Sequence, residues 1–220
     1  MNKTAIILGA TGLTGSLLLD NLLNNDAYAK VIVFSRSKIE ISHPKLEILI
    51  IDLFKISEHQ DDFKAQVVFC CIGSTKAKTP DESVYKSIDY GIPVSAAKLC
   101  KLNNIPTFIV VSSLGANPKS NMFYNRIKGE MERDVLNLNI ENTFILQPSL
   151  IDGRRDELRI FEWLWQKAMR LINGLLIGKL RKYRSIKAET ISDAMVILDL
   201  NGYKNQIIES HQIKELVKNA

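Results

Sequence analysis

The sequence predicts an α/β fold built on a doubly wound parallel sheet. Short runs rich in β-branched residues are almost wholly apolar, as strands buried on both faces require. The longer segments between them carry apolar residues at helical spacing. Because strands and helices alternate and crossovers between parallel strands are right-handed, we expect helices on both faces of one sheet.

The elements can be placed in chain order. The predicted strands are 4–8, 30–35, 46–51, 67–71, 107–112 and 143–147. The predicted helices are 13–23, 89–103 and 125–138, and they are followed by a helix at 188–200, a short strand at 206–209 and a polar tail. At 220 residues we expect a single domain, with a core in residues 1–150 and a small C-terminal region in 151–220.

Composition favours an ordinary globular protein, with 46% hydrophobic and 24% charged residues. The apolar run at 5–8 is too short for a signal peptide, and no stretch approaches the roughly 20 apolar residues of a membrane span. Cys70 and Cys71 would point to opposite faces of a strand, and with Cys100 the number is odd, so we expect reduced thiols and a cytoplasmic location. The histidines have no metal-ligand spacing, so no metal is expected.

The stretch GATGLTG forms the first predicted turn from strand to helix. Ligands of doubly wound sheets bind beyond the carboxyl ends of the strands. Glycines there tighten the turn and let a pyrophosphate approach the backbone, while the helix N-terminus holds its charge. An ordinary tight turn is the alternative, but the position between a buried strand and an amphipathic helix favours a dinucleotide site. Its residues are Gly9, Ala10, Thr11, Gly12, Leu13, Thr14 and Gly15.

The end of the second strand indicates which dinucleotide binds. NAD-specific sites usually carry an acidic residue there, whereas this chain has Ser35, Arg36 and Ser37. A guanidinium can pair with a 2′-phosphate and stack on adenine, so NADPH is favoured over NADH. The alternative is that Arg36 is a solvated surface arginine.

Further cofactor contacts are expected at the ends of the third and fourth strands. Asp52 and Leu53 would lie at the adenine edge, where Asp52 could accept a hydrogen bond from the amino group. Cys71, Ile72 and Gly73 end the fourth strand, and a small residue there lets the backbone pass close to the cofactor.

The fifth strand and the next helix offer groups for chemistry. Tyr124 and Lys128 are four residues apart and share one helix face. An ammonium beside a phenol favours the phenolate, which suits a proton donor or acceptor near neutral pH. Ser112 and Ser113 end the preceding strand, where a hydroxyl can hydrogen-bond a carbonyl oxygen. A surface tyrosine over a lysine stem is the alternative.

Taken together, GATGLTG, SRS, VVSSLGA, YNRIK with GEMER, and ILQPSLIDGRRDELR resemble the short-chain dehydrogenase/reductase superfamily. Within it they resemble the atypical branch of TIP30 (HTATIP2) oxidoreductase-like proteins. The resemblance implies a Rossmann fold, NADPH in the glycine-rich cleft and a catalytic group of Ser113, Tyr124 and Lys128. It also implies that the backbone of Pro148, Ser149 and Leu150 meets the nicotinamide carboxamide.

Two features depart from the superfamily pattern. The gap from serine to tyrosine is slightly short, which leaves Ser112 as a rival to Ser113. The asparagine that many relatives carry after the fourth strand is not evident, and Ser74 or Thr75 stands nearby.

Residues 154–187 carry ten lysines and arginines against three acids, a larger surplus than the +5 of the whole chain. Apolar and aromatic residues are interleaved with them. One interpretation is a lid over the cofactor cleft, whose basic face attracts an anionic substrate or the cofactor. The others are a solvated face over a buried stripe, and a helix that binds a membrane surface or a protein partner. Nucleic acid is not expected, since no reader motif is present.

Two functions follow from the sequence. The first is an NADPH-dependent oxidoreductase acting on a small carbonyl compound through a Ser/Tyr/Lys group. The alternative is a non-catalytic, NADPH-binding regulatory or redox-sensing protein that docks a partner. A nucleotide-sugar epimerase is disfavoured, because only about 70 residues follow the last predicted core strand. Both a monomer and a homodimer remain open.

Overall fold

The computed structural model describes residues 2–152 and 184–220, and within them seven parallel strands form one sheet. In spatial order these are β3, β2, β1, β4, β5, β6 and β9. A separate parallel pair joins β7 to β8. In chain order the strands are β1 (Lys3–Leu8), β2 (Tyr28–Ser35), β3 (Leu46–Ile50), β4 (Val67–Cys70), β5 (Thr107–Val111), β6 (Asn142–Gln147), β7 (Ile151–Asp152), β8 (Ile186–Lys187) and β9 (Ile207–Glu209).

Helices connect these strands on both faces. Their bounds are α1 (Leu13–Leu23), α2 (Glu82–Lys86), α3 (Ile92–Leu102), α4 (Phe123–Asn137), α5 (Ala188–Asn201) and α6 (Ser210–Lys218). A 3₁₀ segment, Leu53–His59, follows β3, and a π-helical turn, Ser87–Gly91, joins α2 to α3. None of the helices in these described ranges is both long and apolar enough to cross a membrane.

The strand order confirms the predicted doubly wound fold. From β1 the chain moves outward through β2 and β3, then returns to place β4 on the other side of β1. The winding therefore reverses between β1 and β4, and this switch point opens a crevice at the carboxyl ends of the strands.

The core consists of two layers, one on each face of the sheet. Ala5 and Ile7 of β1 face the layer formed with α1 and α5, whereas Ile6 and Leu8 face the layer formed with α3 and α4. This alternation explains why the central strands read as continuous apolar runs, since the side chains of Ala5–Leu8 and of β4 are buried on both faces. The described cysteines are all free, and Cys70 and its neighbour in sequence lie on opposite faces, as expected.

Two parts of the chain differ from the prediction. The helix expected at 89–103 begins only at Ile92, because α2 and the π-helical turn come first, and Asp89 lies in that turn and is fully buried. The predicted polar tail is wrong, because residues 210–218 form α6. A capping box between Glu209 and Gln212 starts this helix, and Ile213 anchors it in the core.

The described part of the C-terminal region belongs to the main domain. Strand β9 pairs with β6 at the sheet edge, and α5 packs against α1, where Asn21 donates hydrogen bonds to Ser192 and Asp193. The lid predicted for this region, and most of the basic segment 154–187, fall within 153–183, outside the described residues.

Candidate active site

A cleft of about 620 Å³ lies at the switch point between β1 and β4. Its walls come from the turn after β1, the segment after β4, the end of β5 and the first turns of α4. The sequence-predicted residues that line it are Thr11, Gly12, Leu13, Thr14, Cys71, Ile72, Gly73, Ser112, Tyr124 and Lys128. The fold thus brings into one cleft residues that are more than 110 positions apart in the sequence.

The geometry of the turn after β1 lets a ligand approach the backbone closely. Gly9 has a φ of +86°, and a Cβ there would lie 2.9 Å from the carbonyl carbon of Cys71. A Cβ on Gly15 would lie 2.0 Å from the Gly9 oxygen, so this position also excludes a side chain. Helix α1 starts behind Gly12 with no side-chain cap, and Leu13 in its first turn lines the cleft. These features fit a dinucleotide pyrophosphate, which uses uncapped helix amides and a backbone without side chains.

The Lys128 ammonium forms an ion pair with a buried carboxylate. Its ammonium lies 2.8 Å from Oδ1 of Asp89, while the other oxygen of Asp89 accepts a hydrogen bond from the backbone N–H of Ser74. Burial opposes a charge on Lys128, but Asp89, together with Tyr124 and Cys70, offsets this and leaves the pKa of Lys128 above its ordinary value. The ammonium is therefore charged, fixed in position and close enough to Tyr124 to interact with it electrostatically.

Ser112 belongs to a second buried network. Its hydroxyl donates to Oε1 of Glu132, and the amide of Gln147 donates to both Glu132 oxygens at 2.9 Å. Burial raises the pKa of Glu132, and the bonds from Ser112 and Gln147 only partly reverse this effect. With Glu132 ionised, the single Ser112 proton is committed to the carboxylate.

The two candidate serines are placed differently. Ser112 is buried and lines the cleft, whereas Ser113 is half-buried, is absent from the cleft lining and directs its hydroxyl to the Leu114 carbonyl at 3.3 Å. Tyr124, on the first turn of α4, remains 39% exposed. The serine, tyrosine and lysine that share the cleft are therefore Ser112, Tyr124 and Lys128.

Several predicted cofactor residues lie outside the cleft lining. Gly9, Ala10 and Gly15 lie beneath the turn, as its geometry requires. Ser35 is buried at the end of β2, whereas Arg36 and Ser37, which follow it, are exposed at the same edge of the sheet.

Asp52, two residues after β3, uses its side chain to cap the 3₁₀ segment by accepting from the Phe54 N–H. Leu53 is buried in the core. After β6, Pro148 accepts a backbone hydrogen bond from Leu114, and the Ser149 hydroxyl turns toward Ser210 and the Arg184 carbonyl.

Leu150 is exposed, and its carbonyl accepts from the Ile186 N–H. The neighbouring Ile151 lines the cleft. The segment after β6 therefore reaches the site one residue later than expected.

Sequence reasoning missed three residues that support the site. Glu132 lies four residues after Lys128 on α4, so helical spacing could have revealed it. Asp89 had no such signal, because it lies in a π-helical turn 39 residues before Lys128 and no local spacing connects the two. Gly129 lets the loop after β5 touch α4, since a Cβ there would lie 2.2 Å from the Pro118 nitrogen.

Comparison with known proteins identifies the family of this chain. A family model described as NAD(P)H-binding matches residues 9–162. HTATIP2 of Rattus norvegicus is 31% identical over 170 residues, which cover 76% of this chain and 70% of that protein. The mitochondrial protein FMP52-1 of Scheffersomyces stipitis is 31% identical over 183 residues, 81% of this chain and 76% of that protein.

The chain belongs to the NAD(P)H-binding family of HTATIP2 and FMP52. Membership confirms the resemblance seen in the sequence motifs, together with an NAD(P)-binding, oxidoreductase-like fold. Among solved structures, the enzyme WbmH of Bordetella bronchiseptica in complex with NAD⁺ superimposes with a TM-score of 0.70 at 18% identity. That match covers 99% of this chain and 80% of that one. This likeness concerns the fold alone.

The family also corrects one expectation. A cytoplasmic location was predicted, but the FMP52 relatives are named as mitochondrial proteins, which contradicts it. Free thiols distinguish a reducing compartment from an oxidising one, and they do not identify which reducing compartment holds a protein.

Proposed function

We propose that the protein is an NADPH-dependent reductase of carbonyl compounds. The observation that carries this proposal is that Tyr124 and Lys128 share one face of α4 and line the same cleft as the uncapped start of α1. A proton donor and a dinucleotide cradle in one cleft are what carbonyl reduction requires.

NADPH, when bound, supplies a hydride to the carbonyl carbon. In this proposal the Tyr124 hydroxyl donates its proton to the carbonyl oxygen, which leaves a phenolate on the enzyme. The Lys128 ammonium stabilises that phenolate, and Asp89 keeps the ammonium in place. Solvent then reprotonates Tyr124, whose partial exposure permits this exchange.

We assign the positioning serine to Ser112 rather than Ser113, because only Ser112 lines the cleft. Its hydroxyl can donate to a substrate only when Glu132 is protonated and donates to Ser112 in turn. The raised pKa of Glu132 makes that protonated form accessible closer to neutral pH than for an exposed glutamate.

The test is oxidation of NADPH, followed by its absorbance, with a panel of aldehydes and ketones. Tyr124→Phe should lower kcat by about 10²- to 10⁴-fold, the usual range for loss of a proton donor. The dissociation constant of NADPH should change less than about twofold, since the ring is retained. Tyr203→Phe is the matched control, because Tyr203 follows α5 and does not line the cleft.

Equal turnover by Tyr124→Phe and the wild-type protein would contradict the proton-donor role. Tight NADPH binding with no turnover of any carbonyl compound would instead favour the non-catalytic, NADPH-sensing alternative.

A further inference from the structure

A second cavity, of about 440 Å³, adjoins the cofactor cleft. It lies between the segment after β4, helix α2 and the start of α4. Ser74, Thr75 and Tyr124 line both spaces, so the two cavities meet along these three residues. We call this second space the side pocket. Its volume is within the range of small-molecule sites, about 300–1,000 Å³.

Aromatic rings form one wall of the side pocket. Tyr85 packs edge-on against Phe123 and Tyr124, with ring centroids 5.8 and 6.2 Å apart. The Tyr85 hydroxyl donates to the Ser74 carbonyl at 3.1 Å, so its polar end is already satisfied. Apart from the Tyr124 hydroxyl, the remaining surface of these rings is carbon, which favours a flat apolar ligand.

The rim of the side pocket includes one flexible, apolar side chain. Met122 is 65% exposed and lines the pocket just before α4 begins. A methionine side chain adjusts its shape to different ligands because it is unbranched and polarisable.

The rim of the side pocket carries one positively and one negatively charged side chain. Lys76 and Glu82 lie on the same rim with 4.0 Å between Nζ and Oε1, and both side chains are mostly in solvent. An exposed pair of opposite charges creates little net field, so these two residues give no preference for an anion. This differs from the anionic substrate considered from the basic segment of the sequence.

We infer that the side pocket binds the substrate and selects a neutral, apolar aryl aldehyde or ketone. The ring of the substrate lies against Phe123 and Tyr85, and its carbonyl group lies at Tyr124, where the two cavities meet. This inference rests on the proposed reductase function, in which Tyr124 donates the proton.

The experiment compares 4-methylbenzaldehyde with 4-carboxybenzaldehyde, which has a similar size but carries a negative charge. With saturating NADPH, the wild-type protein should show at least about tenfold higher kcat/KM for the methyl compound. Phe123→Ala should raise the KM for 4-methylbenzaldehyde about tenfold, the effect of removing part of an apolar wall, with little change in kcat. Leu102→Ala is the control, because Leu102 is 58% exposed at the end of α3 and lines neither cavity.

A second variant keeps the inference falsifiable if Phe123→Ala folds poorly. Met122→Lys adds a positive charge at an exposed position of the rim and should be tolerated. It should shift the preference toward 4-carboxybenzaldehyde by at least about threefold, because the added ammonium attracts the carboxylate. An unchanged preference would contradict the placement of the substrate beside Met122.

Binding separates the two proposals. Saturation-transfer difference NMR from the NADPH-loaded protein to 4-methylbenzaldehyde detects binding of the aldehyde, whether or not the aldehyde is then reduced. Binding that Phe123→Ala weakens, with no NADPH oxidation, supports the side pocket and contradicts the reductase function. Equal reduction of both aldehydes, unaffected by Phe123→Ala, supports the reductase and overturns the side pocket. An aldehyde that neither binds nor reacts also overturns it.

Discussion

The Lys128 ammonium lies 2.8 Å from the Asp89 carboxylate, and both side chains line the cofactor cleft while remaining almost completely buried. Removing two charges from water is costly, and close pairing offsets most of that cost. Loss of one partner leaves the other buried and unpaired, which is worse than loss of both. The pair therefore holds Lys128 in a charged, fixed state beside Tyr124.

Asp89→Leu should lower the free energy of unfolding by about 3–5 kcal/mol, the cost of breaking a buried pair. Urea denaturation measures this change. Lys128→Met combined with Asp89→Leu should recover much of the loss, because no charge then remains buried. Equal destabilisation in the single and double variants would contradict the view that the unpaired charge causes the loss.

Glu132→Gln should change how stability depends on pH. Burial raises the pKa of Glu132 in the folded protein above its ordinary value of 4.5, so the folded form favours the proton. The stabilisation linked to that proton is fully present below the unfolded pKa and disappears as pH rises through the folded pKa. Melting temperatures should therefore fall faster with rising pH above 4.5 for the wild-type protein than for Glu132→Gln.

The same substitution has a separate readout in turnover. A glutamine can donate to the Ser112 oxygen at every pH, so the Ser112 proton stays available to the substrate. The pH profile of kcat should become flatter in Glu132→Gln, whereas a purely structural role would leave its shape unchanged. Glu130→Gln is the control, because Glu130 lies on the same helix and pairs with Lys86, away from Ser112.

Gly129→Ala should destabilise the protein although alanine favours helix. The new Cβ would lie 2.2 Å from the Pro118 nitrogen, so the loop after β5 must move, at a cost of about 1–3 kcal/mol. This exceeds the helical preference of alanine over glycine, about 1 kcal/mol. At Gly91 the nearest atom to a new Cβ is 4.0 Å away. Gly91→Ala should therefore leave the denaturation midpoint unchanged or raise it.

Arg36→Ala should weaken NADPH binding by about ten- to a hundredfold, which corresponds to loss of a charge-assisted contact of about 1.5–3 kcal/mol. NADH binding should not change, because NADH has no 2′-phosphate. Calorimetry of both dinucleotides measures the two constants. Lys38→Ala is the control for the general loss of a positive charge, because Lys38 is also exposed and lies two residues after Arg36. Equal weakening of both dinucleotides would contradict a specific 2′-phosphate contact.

Much of the site followed from local pattern. Gly9 and Gly15 mark the cradle because a strand ends and a helix begins around them. Tyr124 and Lys128 share a face because their spacing matches one helical turn. Even the missed α6 carried a local signal, since Glu209 and Gln212 form its capping box.

The sequence by itself determined the fold class, the place of the cofactor cleft and the tyrosine and lysine in it, because strand and helix periodicities repeat within a few residues. The tertiary structure decided which serine reaches the cleft and which carboxylates support it. Asp89 meets Lys128 through a π-helical turn, and Glu132 of α4 meets Ser112 and Gln147 at the ends of two neighbouring strands. Such contacts depend on how elements distant in sequence pack, and no local periodicity records that packing.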